Sequence, residues 1–279
     1  MIRSPHTMSF MMSRLYSVSS GAVPSHVIKM IKIDNPTKRN ALSYKVMKDV
    51  VDQLKQIKEV SNNSERKNEI PKVVVLYSEG PVFCSGHDLK ELRANDTKFH
   101  SESFQLCNDL MESIRTLDQP VIAQVQGLAT AAGCQIVGAC DLAVCSSNAQ
   151  FATPGVKIGL FCTTPGISIS RSLSRKKALE MLFTGTPISA QEALQHGLVN
   201  KVVQPEELED VVRQMATNIA QASLETLRIG KRSFYAQVDM NIDDAYKFGC
   251  QVMTNNMSEE DCKEGIDAFI QKRSPNFKN

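Results

Sequence analysis

The chain has 279 residues, of which 42% are hydrophobic and 22% charged. That balance suits one large globular domain or two small ones and excludes disorder or a coiled coil for its bulk. With 32 basic and 30 acidic side chains the net charge is +2, too even for a protein that holds nucleic acid through its phosphates. The charge is unevenly placed, however: the first acidic residue is Asp34.

Residues 1–25 carry Arg3, Arg14 and seven serines, but no acid. A basic, Ser-rich, acid-poor leader predicts a mitochondrial transit peptide and a matrix destination. Arg14 interrupts the only stretch that could serve as the apolar region of a secretory signal. No run reaches the about 18 apolar residues that suggest a membrane span. Without the leader, basic and acidic residues are equal in number. The eight cysteines (84, 107, 134, 140, 145, 162, 250 and 262) form no C-x-x-C pair and no Cys/His cluster of zinc spacing. In a reducing matrix they are expected as thiols, most of them small buried hydrophobes.

Residues 27–33 alternate as a strand, ended by Asn35-Pro36. Ser43 then caps a helix over 44–60, with Val46, Val50, Leu54 and Ile57 on one face. The polar stretch 61–69 reads as a loop. Residues 72–77 predict a buried strand, and 82–84 a short one after the Gly80-Pro81 turn. A helix over 100–117 has Phe104, Leu110, Ile114 and Leu117 as its spaced apolar set. Residues 121–125 predict a strand, 127–130 a loop, 131–138 a short buried helix and 142–145 a strand. The alternation of strand and helix argues an α/β core over 26–200. A helical C-terminal region of the same domain, 201–279, follows. Ser189-Ala-Gln-Glu192 is a capping box, and 199–203 is one last strand. Helices are predicted over 205–221, 223–235, 243–255 and 258–272.

Two segments carry candidate chemistry. Residues 82–92 (VFCSGHDLKEL) and 126–135 (QGLATAAGCQ) each run from a strand through small residues into a helix. Small residues let a ligand approach the backbone. Unpaired N–H groups at a helix start, backed by its dipole, favour an anion. Two such turns face to face would hold one oxyanion between two donors, each worth about 10²–10³ in rate. Taken singly, each is also compatible with a plain tight turn.

Together these segments resemble the crotonase (enoyl-CoA hydratase/isomerase) superfamily. Matching pieces run from about residue 27 to 279: 38–42 (KRNAL), 83–89 (FCSGHDL), 120–127 (PVIAQVQG), 151–159, 190–203 and 265–277. The resemblance implies a ββα spiral core with a helical C-terminal trimerisation region. It implies an acyl-CoA thioester as ligand, CoA belonging to the substrate rather than acting as a cofactor. It implies assembly as a homotrimer or hexamer, and no nucleic acid, metal or membrane partner. The oxyanion donors it implies are the backbone N–H groups of His87 and Ala132. Lys38, Arg39, Ala41, His87, Asp88, Leu89 and Lys90 fall where the family lines CoA, and Phe269 and Lys272 where it closes over CoA, often from a neighbouring subunit.

The sequence departs from the family at the proton carriers. A hydratase needs two carboxylates around one water. Their positions are filled here by Gln135 and Gly155, and neither 130–139 nor 150–160 contains an acid. Gln135 can orient a hydrogen bond but cannot exchange a proton near neutral pH. Gly155 is expected to leave room for a small ion such as bicarbonate, and glutamates at both positions are expected to return some hydration. Asp88 reads as a helix cap, Asp141 as structural and His196 as a helix-end residue. His87 reads as a backbone donor with a titratable ring beside the carbonyl; Cys162 stands where related decarboxylases place a tyrosine, with Cys162, Thr163 and Thr164 as the candidates to serve in its stead. Three functions remain open. The first is an acyl-CoA-binding protein of fatty-acid metabolism without ordinary hydratase activity. The second is an enzyme working through the oxyanion turns alone, such as a malonyl-type decarboxylase, a thioesterase or a weak isomerase. The third is a non-catalytic structural subunit.

Overall fold

The computed structural model describes residues 27–61 and 70–278; the predicted leader lies outside them. The chain alternates between two sheets. The first has the order β1 (Ile28–Lys32), β2 (Val73–Tyr77), β4 (Val121–Val125), β6 (Leu142–Ser146) and β9 (Lys201–Val203), all parallel. The second runs β3 (Val82–Cys84), β5 (Leu128–Thr130), β7 (Gln150–Ala152) and β8 (Ile188–Ser189), with only β8 antiparallel. The turns that start at β2, β4 and β6 each give one strand to each sheet and then enter a helix, the repeated ββα unit that was expected. The stretch 127–130 is strand rather than loop. Three-residue strands such as β5 and β7 are too short to show a period, which is why the second sheet is barely legible in the sequence.

Helix α1 (Tyr44–Ser61) starts where Ser43 Oγ accepts the Val46 N–H at 3.3 Å, and it buries Val46, Val50, Leu54 and Ile57. Helix α2 (Leu89–Ala94) is followed by α3 (Thr97–Thr116). Asp96 caps α3 through the Phe99 N–H, so this helix begins three residues before the predicted start. Then come α4 (Ala132–Ala139), α5 (Thr163–Ser172), α6 (Arg175–Thr184) and α7 (Ala190–His196), the last opened by the predicted capping box. His196 ends α7, and Gly197 follows in the left-handed region.

The first sheet is buried on both faces, with the residue alternation that a pleat dictates. Val74, Leu76, Val121, Ala123 and Val125 face the main core with α1, α3 and α4. Val73, Val75, Ile122 and Val144 face the other way, against Leu208, Val212 and Ala216 of α8 (Leu208–Ala220). Thus β9 and α8, which the sequence reading places in the C-terminal region, pack directly on the first sheet. Only α9 (Leu224–Gln237), α10 (Ile242–Asn256) and α11 (Glu260–Gln271) reach beyond it. Helix α10 buries no residue, and Tyr246, Met253, Phe269 and Ile270 stand exposed on this arm. No helix among the described residues is long and apolar enough to cross a membrane.

Candidate functional site

The first small-residue turn leaves β3 at Cys84 and enters α2 at Leu89. Gly86 has φ +83° there, open to glycine and strained for other residues. The second turn leaves β5 at Thr130 and enters α4 at Ala132. The two are in contact: a Cβ on Gly86 would lie 2.9 Å from Ala131 Cβ and 3.4 Å from Ala132 N. Two separate positions in the chain thus converge at one point, and glycine at 86 is what allows the approach.

At that point two backbone donors lack protein partners among the described residues. Leu42 donates to the Gly86 carbonyl at 2.8 Å and accepts from the Asp88 N–H at 3.2 Å. In such a parallel bridge the intervening residue turns its N–H away from the partner, so the His87 N–H faces away from Leu42. Ala131, held at φ 49° and ψ −116°, donates its N–H to the Ala152 carbonyl at 2.9 Å. Ala132, at the first position of α4, has no cap beneath it. Non-glycine residues seldom hold a positive φ, and such strain collects at functional sites. Two N–H groups at converging turns, one of them at a helix start, can together hold one oxygen that gains negative charge.

A second layer fixes the first turn. Asp88 is buried, and its Oδ1 accepts the N–H groups of Lys90 and Glu91, capping α2. Its Oδ2 accepts Lys38 Nζ at 2.7 Å, and this contact, more than any other, holds the carboxyl below its usual range. Lys38 and Arg39 lie exposed on the 36–40 turn, beside a buried Ala41. That turn is tied on by Ser85 N–H to the Arg39 carbonyl and by Asn40 Nδ2 to the carbonyls of Glu79 and Val82. Leu89 and Lys90 point outward on α2.

The His87 ring packs inward from this turn. It meets Phe104 of α3 edge-on, centroids 5.2 Å apart, and its Nδ1 is buried without a hydrogen-bond partner. Burial pulls its pKa from 6.5 to about 4, so the ring is neutral at physiological pH. The sign of the linkage follows. Between about 6.5 and about 4 the unfolded chain binds a proton that the folded chain refuses, so stability falls as pH drops through that window. His87→Leu is expected to remove roughly 1–3 kcal/mol of this acid sensitivity. The check is the difference between wild-type and variant denaturation midpoints at pH 7 and pH 5; parallel curves would refute it.

Gln135 and Gly155, where the sequence reading expects the carboxylates of a hydratase, differ from each other in their surroundings. Gln135 lies on α4 one turn beyond Ala132, 4% exposed, with Cys107 Sγ of α3 at 3.9 Å from its Oε1. Gly155, in the short 3-10 turn Pro154–Ile158, is not the open space that its lack of a side chain suggests. A Cβ there would lie 1.9 Å from the Leu160 carbonyl oxygen and 2.8 Å from Cys162 Sγ. The main chain has folded into the place of the side chain. The absent side chain therefore leaves no free space next to the Gly155 Cα, and a glutamate cannot be built there unless the backbone at Leu160 moves. The thiols nearby are not nucleophiles either, since burial pushes Cys84, Cys107 and Cys134 up to about 12 and raises Cys162 as well.

The family model for enoyl-CoA hydratase/isomerase matches residues 24–279. The chain belongs to the enoyl-CoA hydratase/isomerase family. It is 48% identical over 249 residues to enoyl-CoA hydratase domain-containing protein 3, mitochondrial, of Rattus norvegicus, covering 89% of this chain and 80% of the relative. The crystal structure of human enoyl coenzyme A hydratase domain-containing protein 3 superposes with a TM-score of 0.85 at 46% identity, over 92% of this chain and 99% of that one. An enoyl-CoA hydratase from Mycobacterium smegmatis does so with a TM-score of 0.86 at 38% identity, over 92% and 98%. The two-sheet ββα core described above is thus the crotonase fold.

Within this family fold the remaining candidates separate. His87, Asp88, Lys38, Arg39, Ala41, Leu89, Lys90, Ala132 and Gln135 sit on or beside the two converging turns. Phe269 and Lys272 do not. Phe269 stands exposed on α11, and Lys272 caps its C-terminal end, on a helix that packs against α9. Asp141 has a structural task, accepting the Val121 N–H, Lys231 Nζ and Tyr235 Oη. Lys231 and Tyr235 escape a sequence reading because they lie 90 or more residues away. Phe104 was legible as an apolar helix position, but nothing in its spacing shows that it backs His87.

Proposed function

We propose that this chain is an acyl-CoA-binding protein of mitochondrial fatty-acid metabolism, located in the matrix, that grips the thioester carbonyl without hydrating its acyl chain. The observation that carries this is the pairing of two unpartnered N–H groups, on His87 and Ala132, with Gln135 and Gly155 where the carboxylates would stand. The donors polarise a carbonyl and favour an enolate-like oxygen. No group beside them moves a proton at neutral pH: Gln135 does not titrate, and the His87 ring is held far below neutrality. That also weighs against His87 as an acid in a decarboxylase or thioesterase. Lys38, Arg39 and Lys90 supply the positive charge that suits CoA phosphates. The exposed apolar face of α9–α11 suits a homotrimer, in which Phe269 and Lys272 of one subunit cover the CoA held by the next. The leader and the mitochondrial names of the relatives agree on compartment.

Each missing acid or base is worth about 10²–10⁴ in rate, so hydration of crotonyl-CoA is expected at least about 10⁴-fold below a competent hydratase. Butyryl-CoA at 100 times its Kd is expected to stabilise the protein by about 2.7 kcal/mol, read as a rise in Tm. Measurable turnover near hydratase rates would overturn the first part, and an unmoved Tm with every thioester the second.

A further inference from the structure

The lysines of this chain differ in what holds their ammonium. Lys45 and Lys48 stand exposed on α1, and each pairs at 2.6 Å with an aspartate one turn on, Asp49 and Asp52. Those carboxylates hold the two amines above their usual range. Lys231 is sealed in the interior between two carbonyls and Asp141. Lys72, at the entry to β2, is neither paired nor sealed.

Lys72 is half-buried. Its backbone N–H donates to the Val27 carbonyl at 2.8 Å, which fixes the residue beside β1. Its side chain crosses to the junction of α8 and α9, where Nζ donates to the Ala222 carbonyl at 3.1 Å. No carboxylate of a described residue forms an ion pair with it. Asp261 of α11 acts on it through its charge alone, and burial outweighs that charge and lowers the amine below its usual range. An amine in this setting is unprotonated more of the time than the paired ones. One N–H suffices for the Ala222 carbonyl, which leaves the nitrogen lone pair for an electrophile. The thioesters proposed above as ligands are themselves acyl donors.

We propose that Lys72 is an acylation site of this protein, its Nζ taking the acyl group of a CoA thioester from solution. The nitrogen lone pair attacks the thioester carbonyl carbon, a C–N bond forms, the C–S bond breaks and CoA leaves as its thiolate. The proton shed by the nitrogen ends on that thiolate, giving free CoA. The reaction needs no bound thioester, so it stands apart from the acyl-CoA-binding reading. Its product is a neutral amide, which keeps one N–H for Ala222 but has lost the positive charge. Ala222 lies two residues beyond the last residue of α8, where a cation favours the helix end. Acylation therefore removes a charged tie between the first sheet and the junction that leads into the C-terminal arm.

The test is incubation of the full chain with acetyl-CoA at a series of pH values, with occupancy of each lysine followed by peptide mass spectrometry. Near neutral pH, Lys72 is expected to acetylate at least about fivefold faster than Lys45 or Lys48, and its rate is expected to rise at lower pH than theirs. In the urea-unfolded chain the three rates are expected to converge, because the folded surroundings set the difference. A folded-state rate at Lys72 no higher than at Lys45 and Lys48 overturns the proposal. So does a preference that persists unchanged in the unfolded chain. Lys72→Gln, which stands for the acylated side chain, is expected to melt below Lys72→Arg, which keeps a cation at Ala222; equal Tm values overturn the loss of the tie.

Discussion

Placing glutamate at residue 155 is expected to unfold the protein rather than to make it a hydratase. A Cβ at this position meets the Leu160 carbonyl oxygen at 1.9 Å and the Leu160 carbonyl carbon at 3.2 Å. Backbone cannot swing aside as the end of a flexible side chain can. The same segment is tied down by the Leu160 N–H to the Gly155 carbonyl at 3.0 Å, and Cys162 immediately precedes α5. Overpacking a core by a methylene or two costs about 1–3 kcal/mol where side chains can adjust. Here even Gly155→Ala is expected to cost about 3 kcal/mol or more, and Gly155→Glu to exceed a stability margin of about 5–15 kcal/mol at its lower end. Adding Gln135→Glu compounds the loss, because that carboxyl would be buried among α3 and α4 and pushed towards its neutral form. Denaturant melts of Gly155→Ala and crotonyl-CoA assays of the double variant are the checks. A Gly155→Ala protein as stable as wild type, or hydration by the double variant, would refute this account.

The second large effect lies outside the site. Lys231 of α9 is buried, and its ammonium reaches the Ile114 carbonyl at 2.9 Å, the Gln119 carbonyl at 3.0 Å and Asp141 Oδ2 at 2.7 Å. Burial pulls its pKa down while Asp141 opposes that. Asp141 in turn receives Tyr235 Oη at 2.8 Å, and Arg232 pairs with the buried Asp118. One turn and a half of α9 is therefore bound to the end of α3 and the start of β4 by directed, charged contacts. Lys231→Ala leaves a partly buried carboxylate and two carbonyls without their cation, and is expected to cost about 3 kcal/mol. Tyr235→Phe removes one neutral partner and is expected to cost about 1 kcal/mol. Chemical denaturation of both variants gives the comparison; equal and small losses would refute it. Because α9 leads to α10 and α11, Lys231→Ala should also loosen the arm proposed for trimer contact, visible as a shift in sedimentation.

The fold was legible where the period was long. Val46, Val50, Leu54 and Ile57 announce α1, and the hydrophobic runs of β2 and β4 announce the buried sheet. Of the second sheet only β3 was legible, from the apolar residues after the Gly80-Pro81 turn; β5 and β7 were not, because three residues show no period. At the site, the two small-residue turns and the residues Gln135 and Gly155 stood in the sequence. The state of Gly155 did not: a glycine symbol says that a side chain is absent, not whether backbone from residues 160–162 has taken its place. Likewise nothing in the spacing of His87 and Gln135 shows that Phe104 and Cys107 of α3 stand against them.

The placement of α8 has a consequence for how the chain is made. Residues 73, 75, 122 and 144 are synthesised well before Leu208, Val212 and Ala216, which cover them. Until the last quarter of the chain emerges, one face of the main sheet is a bare apolar plane with an unpaired edge at β6, the strand that β9 later joins. Such surfaces recruit chaperones or aggregate. A ribosome stalled after residue 200 would therefore present a nascent chain that holds both small-residue turns and yet is expected to depend on a holdase to stay in solution.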